Sequence, residues 1–83
     1  MASTHELSQA AHDRLSTELN DLTSRGRLEI AEKIEAAREL GDLKENGDYH
    51  AAKDEQGKME ARIGQLAGIL EDAVVVGSDG PSD

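Results

Sequence analysis

The sequence predicts an all-α fold, a long antiparallel two-helix coiled-coil hairpin with an acidic tip loop. Three observations point there. Apolar residues recur at alternating spacings of three and four through the second half of the chain. One Gly- and Asn-containing acidic segment, residues 41–48, interrupts an otherwise helix-forming sequence. The apolar residues of the two halves also match one another as mirror images about that segment.

Composition limits what else the chain can be. With 83 residues there is room for one domain, and a globular core of this size is only marginally stabilising. Phe and Trp are absent and Tyr49 is the single aromatic, so the core must be thin and a sizeable enzyme pocket is not expected. A third of the residues are charged, the balance of a long helix or coiled coil. Without cysteine there are no disulfides or thiolate metal sites, and the cytoplasm is the default compartment. Met1 to Leu7 do not read as a leader, and no run approaches the roughly 20 apolar residues of a membrane span, so no membrane partner is expected. The formal net charge of −9 opposes a large sequence-independent grip on nucleic acid and confines any such contact to a local patch.

The elements follow in order. Residues 1–7 read as an N-terminal tail and residues 8–76 as the hairpin. Ser8 suits an N-cap for a first helix spanning 8–40. Its interior holds no proline; Gly26 costs about 1 kcal/mol relative to Ala and marks a kink near Ser24 to Arg27. Asp21 with Arg25 and Glu29 with Lys33 are acid-first pairs four residues apart, each worth a few tenths of a kcal/mol. The tip, 41–48, has Asn46-Gly47 at its centre, a turn signal because both residue types tolerate positive φ. A second helix over 49–73 carries Tyr49, Ala52, Gln56, Met59, Ile63, Leu66, Leu70 and Ala73 as a heptad seam. Folding the first helix back pairs these with Leu40, Ala37, Ile34, Ile30, Gly26, Leu22, Leu19 and Leu15, every pair of position numbers totalling 88 to 90. At 1.5 Å per residue such arms are about 35 to 50 Å long, which sets the tip far from the termini. Val74 to Val76 would suit a strand but find no partner strand in the chain, and 77–83 read as a disordered tail or linker.

Chemistry is confined to the tip. Asp42, Glu45 and Asp48 place three carboxylates within seven residues, and hard cations such as Mg²⁺ take one or two carboxylates together with waters and substrate phosphates. An EF-hand is excluded, because with Asp42 as its first position Lys44 and Lys53 fall where oxygen ligands are required. On spacing alone, the segment is a soluble turn. Arg38 and Lys53 should face one another just below the tip, either as a basic patch for RNA or as a solvated face paired to Glu35, Glu39 or Asp54. His5, His12 and His50 lack metal-ligand spacing and read as ordinary surface residues.

The stretch Gly41-Asp42-Leu43-Lys44-Glu45-Asn46-Gly47-Asp48-Tyr49-His50-Ala51-Ala52-Lys53-Asp54-Glu55-Gln56-Gly57 resembles the coiled-coil tip signature of the bacterial Gre transcript-cleavage factors. The similarity runs from about Leu7 to Val76 and includes Leu15, Leu19, Leu22, Glu29-Ile30, Ala36-Ala37-Arg38 and Arg62-Ile63. The resemblance implies a hairpin that enters the secondary channel of RNA polymerase. There Asp42 and Glu45 would be the catalytic and metal-binding pair, helping to hold a Mg²⁺ shared with the polymerase and orienting water against the 3′ end of backtracked nascent RNA. Arg38 and Lys53 match the family's basic patch and would be the RNA contacts. It also implies an accessory transcription elongation factor rather than an enzyme. Two departures stand out. Leu28 replaces a proline that the family often carries before Glu-Ile, which should leave the first helix more continuous. The C-terminal docking domain of the family would begin where these residues end, as in an excised domain or a short relative. The alternative is a non-catalytic coiled coil that regulates or competes for the polymerase channel, and a thin seam of this kind can recruit a second hairpin as a homodimer.

Overall fold

The computed structural model describes residues 5–76. The element order is β1 (His5–Leu7), α1 (Gln9–Asp21), a π-helical segment (Leu22–Gly26), α2 (Arg27–Arg38), a 3₁₀ turn (Leu43–Glu45), α3 (Gly47–Glu71) and β2 (Ala73–Val75). The chain is mostly helical, a long helical hairpin whose longest extent is 59 Å. It is not all-α. β1 and β2 form a parallel pair, with His5 opposite Ala73 and Leu7 opposite Val75. Residues 5–7 are therefore a strand rather than a tail, and the valine run does find a partner. Sequence pattern does not reveal it, because three residues, His-Glu-Leu, carry no strand periodicity. The tail expected at 77–83 lies outside the described residues.

Ser8 caps α1, its Oγ accepting from the Ala11 N–H at 3.1 Å. Where a kink is expected, near Ser24 to Arg27, the chain has the π-helical segment, in and beside which Thr23 Oγ1 donates to the Leu19 carbonyl (2.9 Å) and Ser24 Oγ to the Asn20 carbonyl (2.6 Å). Such hydroxyls compete for carbonyls the helix would otherwise use and bend it. The second helix begins at Gly47 and ends at Glu71, two residues to the N-terminal side of the expected bounds at both ends.

Every expected seam position of α3 is buried or half-buried, and Leu66 is wholly buried. Ile30 and Ala37 are buried on the facing arm, but Leu40 is 68% exposed. Its place at the end of the seam is taken by buried Asn46, described below. Two bidentate pairs and one lysine pair join the arms: Arg27 to Glu60 (2.9 Å), Arg62 to Glu18 (2.8 Å) and Lys33 to Glu55 (3.1 Å). Lys33 thus reaches across the seam instead of to Glu29, which pairs with Arg25. Asp21 and Arg25 are paired as expected, at 2.6 Å. Hydrogen bonds from these arginines hold the Glu18, Asp21 and Glu60 carboxyls below the usual range.

Ion pairs between the arms follow the mirror rule more closely near the tip than away from it. Ion pairs 27 with 60 and 33 with 55 total 87 and 88, but 18 with 62 totals 80. Between these two regions the first arm uses more residues than the second to cover its path. The π-helical segment lies in that interval and, with five residues per hydrogen-bonded loop, contributes to the slip.

Two further details depart from expectation. His12 is half-buried with its Nδ1 enclosed and unpartnered. At Gly26, a Cβ would come within 3.1 Å of Met59 Sδ, so the absence of a side chain lets the thioether lie in the seam. Gly57 and Gly64, by contrast, have nothing within 4 Å of where a Cβ would stand. Gly57→Ala and Gly64→Ala should each stabilise the hairpin by about 0.5–1 kcal/mol, through helix propensity alone. A rise in urea midpoint at unchanged m-value would show it.

Candidate functional site

The tip is built by two left-handed residues and one buried amide. α2 ends at Arg38, and Gly41 (φ 82) and Asp42 (φ 48) turn the chain, so the positive-φ pair is Gly41-Asp42 and not Asn46-Gly47. Asp is among the few side chains that tolerate this region. Asn46, with φ −87, is instead the N-cap of α3: its Oδ1 accepts from the Tyr49 N–H at 2.9 Å. Its Nδ2 donates to the Ala37 carbonyl (2.6 Å) and the Gly41 carbonyl (3.1 Å). One side chain therefore satisfies an open end of each arm and ties them together. Asn serves turns and N-caps through the same short amide, which is why residue type marks the place correctly but not the task.

Asp42 and Glu45 bracket the single 3₁₀ turn, where the Glu45 N–H donates to the Asp42 carbonyl at 3.1 Å. The turn brings the two residues to one depression of the loop surface. Both are exposed, and with Asp48 they line a shallow depression whose floor is Gly41, Asn46 and Gly47. The Gre resemblance sets Asp48 apart from the pair; the fold gives it the same depression, in the first turn of α3, where a carboxylate complements the helix N-terminus. Among the described residues no three His, Asp or Glu side chains gather into a metal-ligand set. The donors present suit a hard cation that keeps waters and draws further ligands from elsewhere.

Arg38 and Lys53 are exposed below the tip. The carboxylate pairing that would have made them a merely solvated face is not formed among the described residues: Asp54 pairs with Lys58 (3.3 Å), and Lys53 donates to Gln56 Oε1 (3.1 Å). Sequence reasoning misses the structural part of His50, whose Nε2 lies 2.9 Å from the Lys44 carbonyl. A six-residue spacing across a loop is no recognisable pattern.

The family described as transcription elongation factor, N-terminal, that of GreA and GreB, matches residues 5–75. This chain belongs to that family. Relatives include transcription elongation factor GreA of Streptomyces avermitilis and of Streptomyces coelicolor, each 58% identical over 69 residues, covering 83% of this chain and 42% of theirs. GreA of Nautilia profundicola is 50% identical over 70 residues, 84% of this chain and 43% of its own. The chain thus spans about two-fifths of the length of these Gre relatives. The matched region contains both arms and the whole tip. Among the described residues, no helix is long and apolar enough to cross a membrane.

Proposed function

We propose that this Gre domain is the channel-entering arm of a transcript-cleavage factor. The hairpin acts as an antiparallel coiled coil that carries its acidic tip through the secondary channel of cytoplasmic RNA polymerase. The observation that carries this reading is the placing of Asp42 and Glu45 at the two ends of one exposed 3₁₀ turn, Asp42 as its cap and Glu45 as its last residue, in a helical hairpin whose longest extent is 59 Å, in a chain of this family. A Mg²⁺ held jointly with the polymerase would supply a lowered pKa for its water and neutralise charge on the phosphodiester. Asp42 and Glu45 would serve as oxygen ligands and accept hydrogen bonds from the attacking water. Water oxygen attacks phosphorus, the P–O bond to the preceding ribose 3′ oxygen breaks, and a short 3′ fragment of backtracked RNA leaves. Arg38 and Lys53, free of carboxylate partners among the described residues, would contact the RNA phosphates. The hydrolytic centre belongs to the polymerase; the domain is an accessory to it.

Binding by this domain alone should be weak, because a linked second site raises avidity through effective concentration. Fusing the remaining part of a Gre relative after Val76 should tighten polymerase binding by about 100-fold or more, measured by competition against a labelled full-length factor. A photo-crosslinker at Leu43 should label the polymerase near its active centre, and one at Gln9 should not. Labelling from Leu43 without stimulated cleavage, in the fused protein, would replace this reading with the non-catalytic competitor. Sedimentation of the domain alone tests whether a second copy completes a bundle.

A further inference from the structure

We propose that His50 is a positioning residue for the acidic pair, a clamp that fixes the peptide preceding Glu45. This rests on the reading of Asp42 and Glu45 given above. The Lys44 carbonyl can only accept, so the 2.9 Å contact requires His50 Nε2 to carry the hydrogen, as the neutral Nε2–H tautomer or as imidazolium. The clamp is one of a pair. Asn46 Nδ2 holds the Gly41 carbonyl, the peptide oxygen just before Asp42, and His50 holds the Lys44 carbonyl, the peptide oxygen just before Glu45. Each carboxylate-bearing residue thus has its preceding peptide plane tied to α3 or to its N-cap. Between them, the backbone bonds Glu45 N–H to Asp42 O (3.1 Å) and Asn46 N–H to Leu43 O (3.4 Å) close the turn, the second of them long. A short turn with one long bond needs outside support to present two ligands in fixed geometry. The imidazole is itself oriented by an edge-on contact with half-buried Tyr49, with ring centroids 5.7 Å apart. The Tyr49 backbone N–H in turn donates to Asn46 Oδ1, so the ring stands on main chain held by the cap of α3.

His50→Leu keeps bulk and removes the donor; His50→Gln retains an N–H donor at similar reach. Because His50 is exposed, neither change should lower the melting temperature of the hairpin by more than a few degrees. In the 83-residue chain, without polymerase, His50→Leu should speed amide hydrogen exchange at Glu45 and Asn46 about fivefold, the factor set by one exposed hydrogen bond, and His50→Gln should restore it. In the fused factor at saturating concentration, His50→Leu should slow cleavage of backtracked RNA about tenfold, the usual scale for loss of a ligand-orienting contact. The concentration giving half-maximal stimulation should not move, and His50→Gln should recover most of the rate. Unchanged exchange at Glu45 and Asn46 in His50→Leu would overturn the clamp, and so would equal losses in Leu and Gln, which would mean packing rather than donation. If the unmutated fused factor stimulates no cleavage, the functional reading falls, and the exchange measurement alone decides the clamp.

Discussion

Leu66→Ala is expected to destabilise the hairpin by about 3 kcal/mol, within the range for deleting a buried leucine side chain, and to leave a large fraction of the domain unfolded at 37 °C. Among the described residues, Leu66 is the only large side chain that is completely buried, in a core whose other members are Ile30, Ile63 and two alanines. With no Phe or Trp anywhere in the chain, nothing nearby is large enough to collapse into the space. Leu28→Ala is the matched comparison: the same truncation on a side chain 61% exposed should change stability by no more than about 0.5 kcal/mol. Urea unfolding followed by helical circular dichroism measures both. Similar midpoints for the two variants would mean that the seam at Leu66 is not where the hairpin is held.

The contrast between Leu66 and Leu28 is legible in the sequence, because a heptad repeat reports directly which face of a helix is covered. All eight seam positions assigned to the second helix are at least half-buried for this reason. The first arm is less legible. Its apolar residues are spaced for a seam, but the mirror rule assumes equal rise on both arms. The π-helical segment at Leu22–Gly26, stabilised by Thr23 and Ser24 hydroxyls, departs from that assumption. The short β1–β2 pair escapes sequence pattern because its pairing is long-range and three residues are too few to show a period.

At the tip, residue types announce a turn and an acidic site but not their internal arrangement. Gly41 marks the end of the first helix, yet the strain of positive φ passes on to Asp42. Asn46 has the type of a turn residue and is an N-cap buried between the arms. Leu40, placed in the seam by spacing, stands exposed, while that amide is buried at the end of the seam. Such substitutions of a polar network for an apolar contact depend on three-dimensional closure, which periodicity does not encode.

The ligand role proposed for the carboxylates of Asp42 and Glu45 is tested most directly by cleavage of halted, backtracked elongation complexes at limiting Mg²⁺, read as release of short 3′ RNA fragments. Asp42→Asn and Glu45→Gln keep shape, and Asn also tolerates the left-handed backbone at position 42. An amide is a poorer ligand for a hard cation, so each variant should lose about 100-fold or more in stimulated cleavage, comparable to removing a principal electrostatic contact in a hydrolytic site. Polymerase binding and hairpin stability should stay near those of the unmutated protein. Added Mg²⁺ should recover part of the activity. Asp48→Asn, which removes a charge from the same depression but lies in the first turn of α3, outside the Asp42–Glu45 pair, should cost less than about threefold if ligation rather than summed charge is what matters. Equal losses at positions 42, 45 and 48, unaffected by Mg²⁺, would contradict the ligand role and leave only a negatively charged tip.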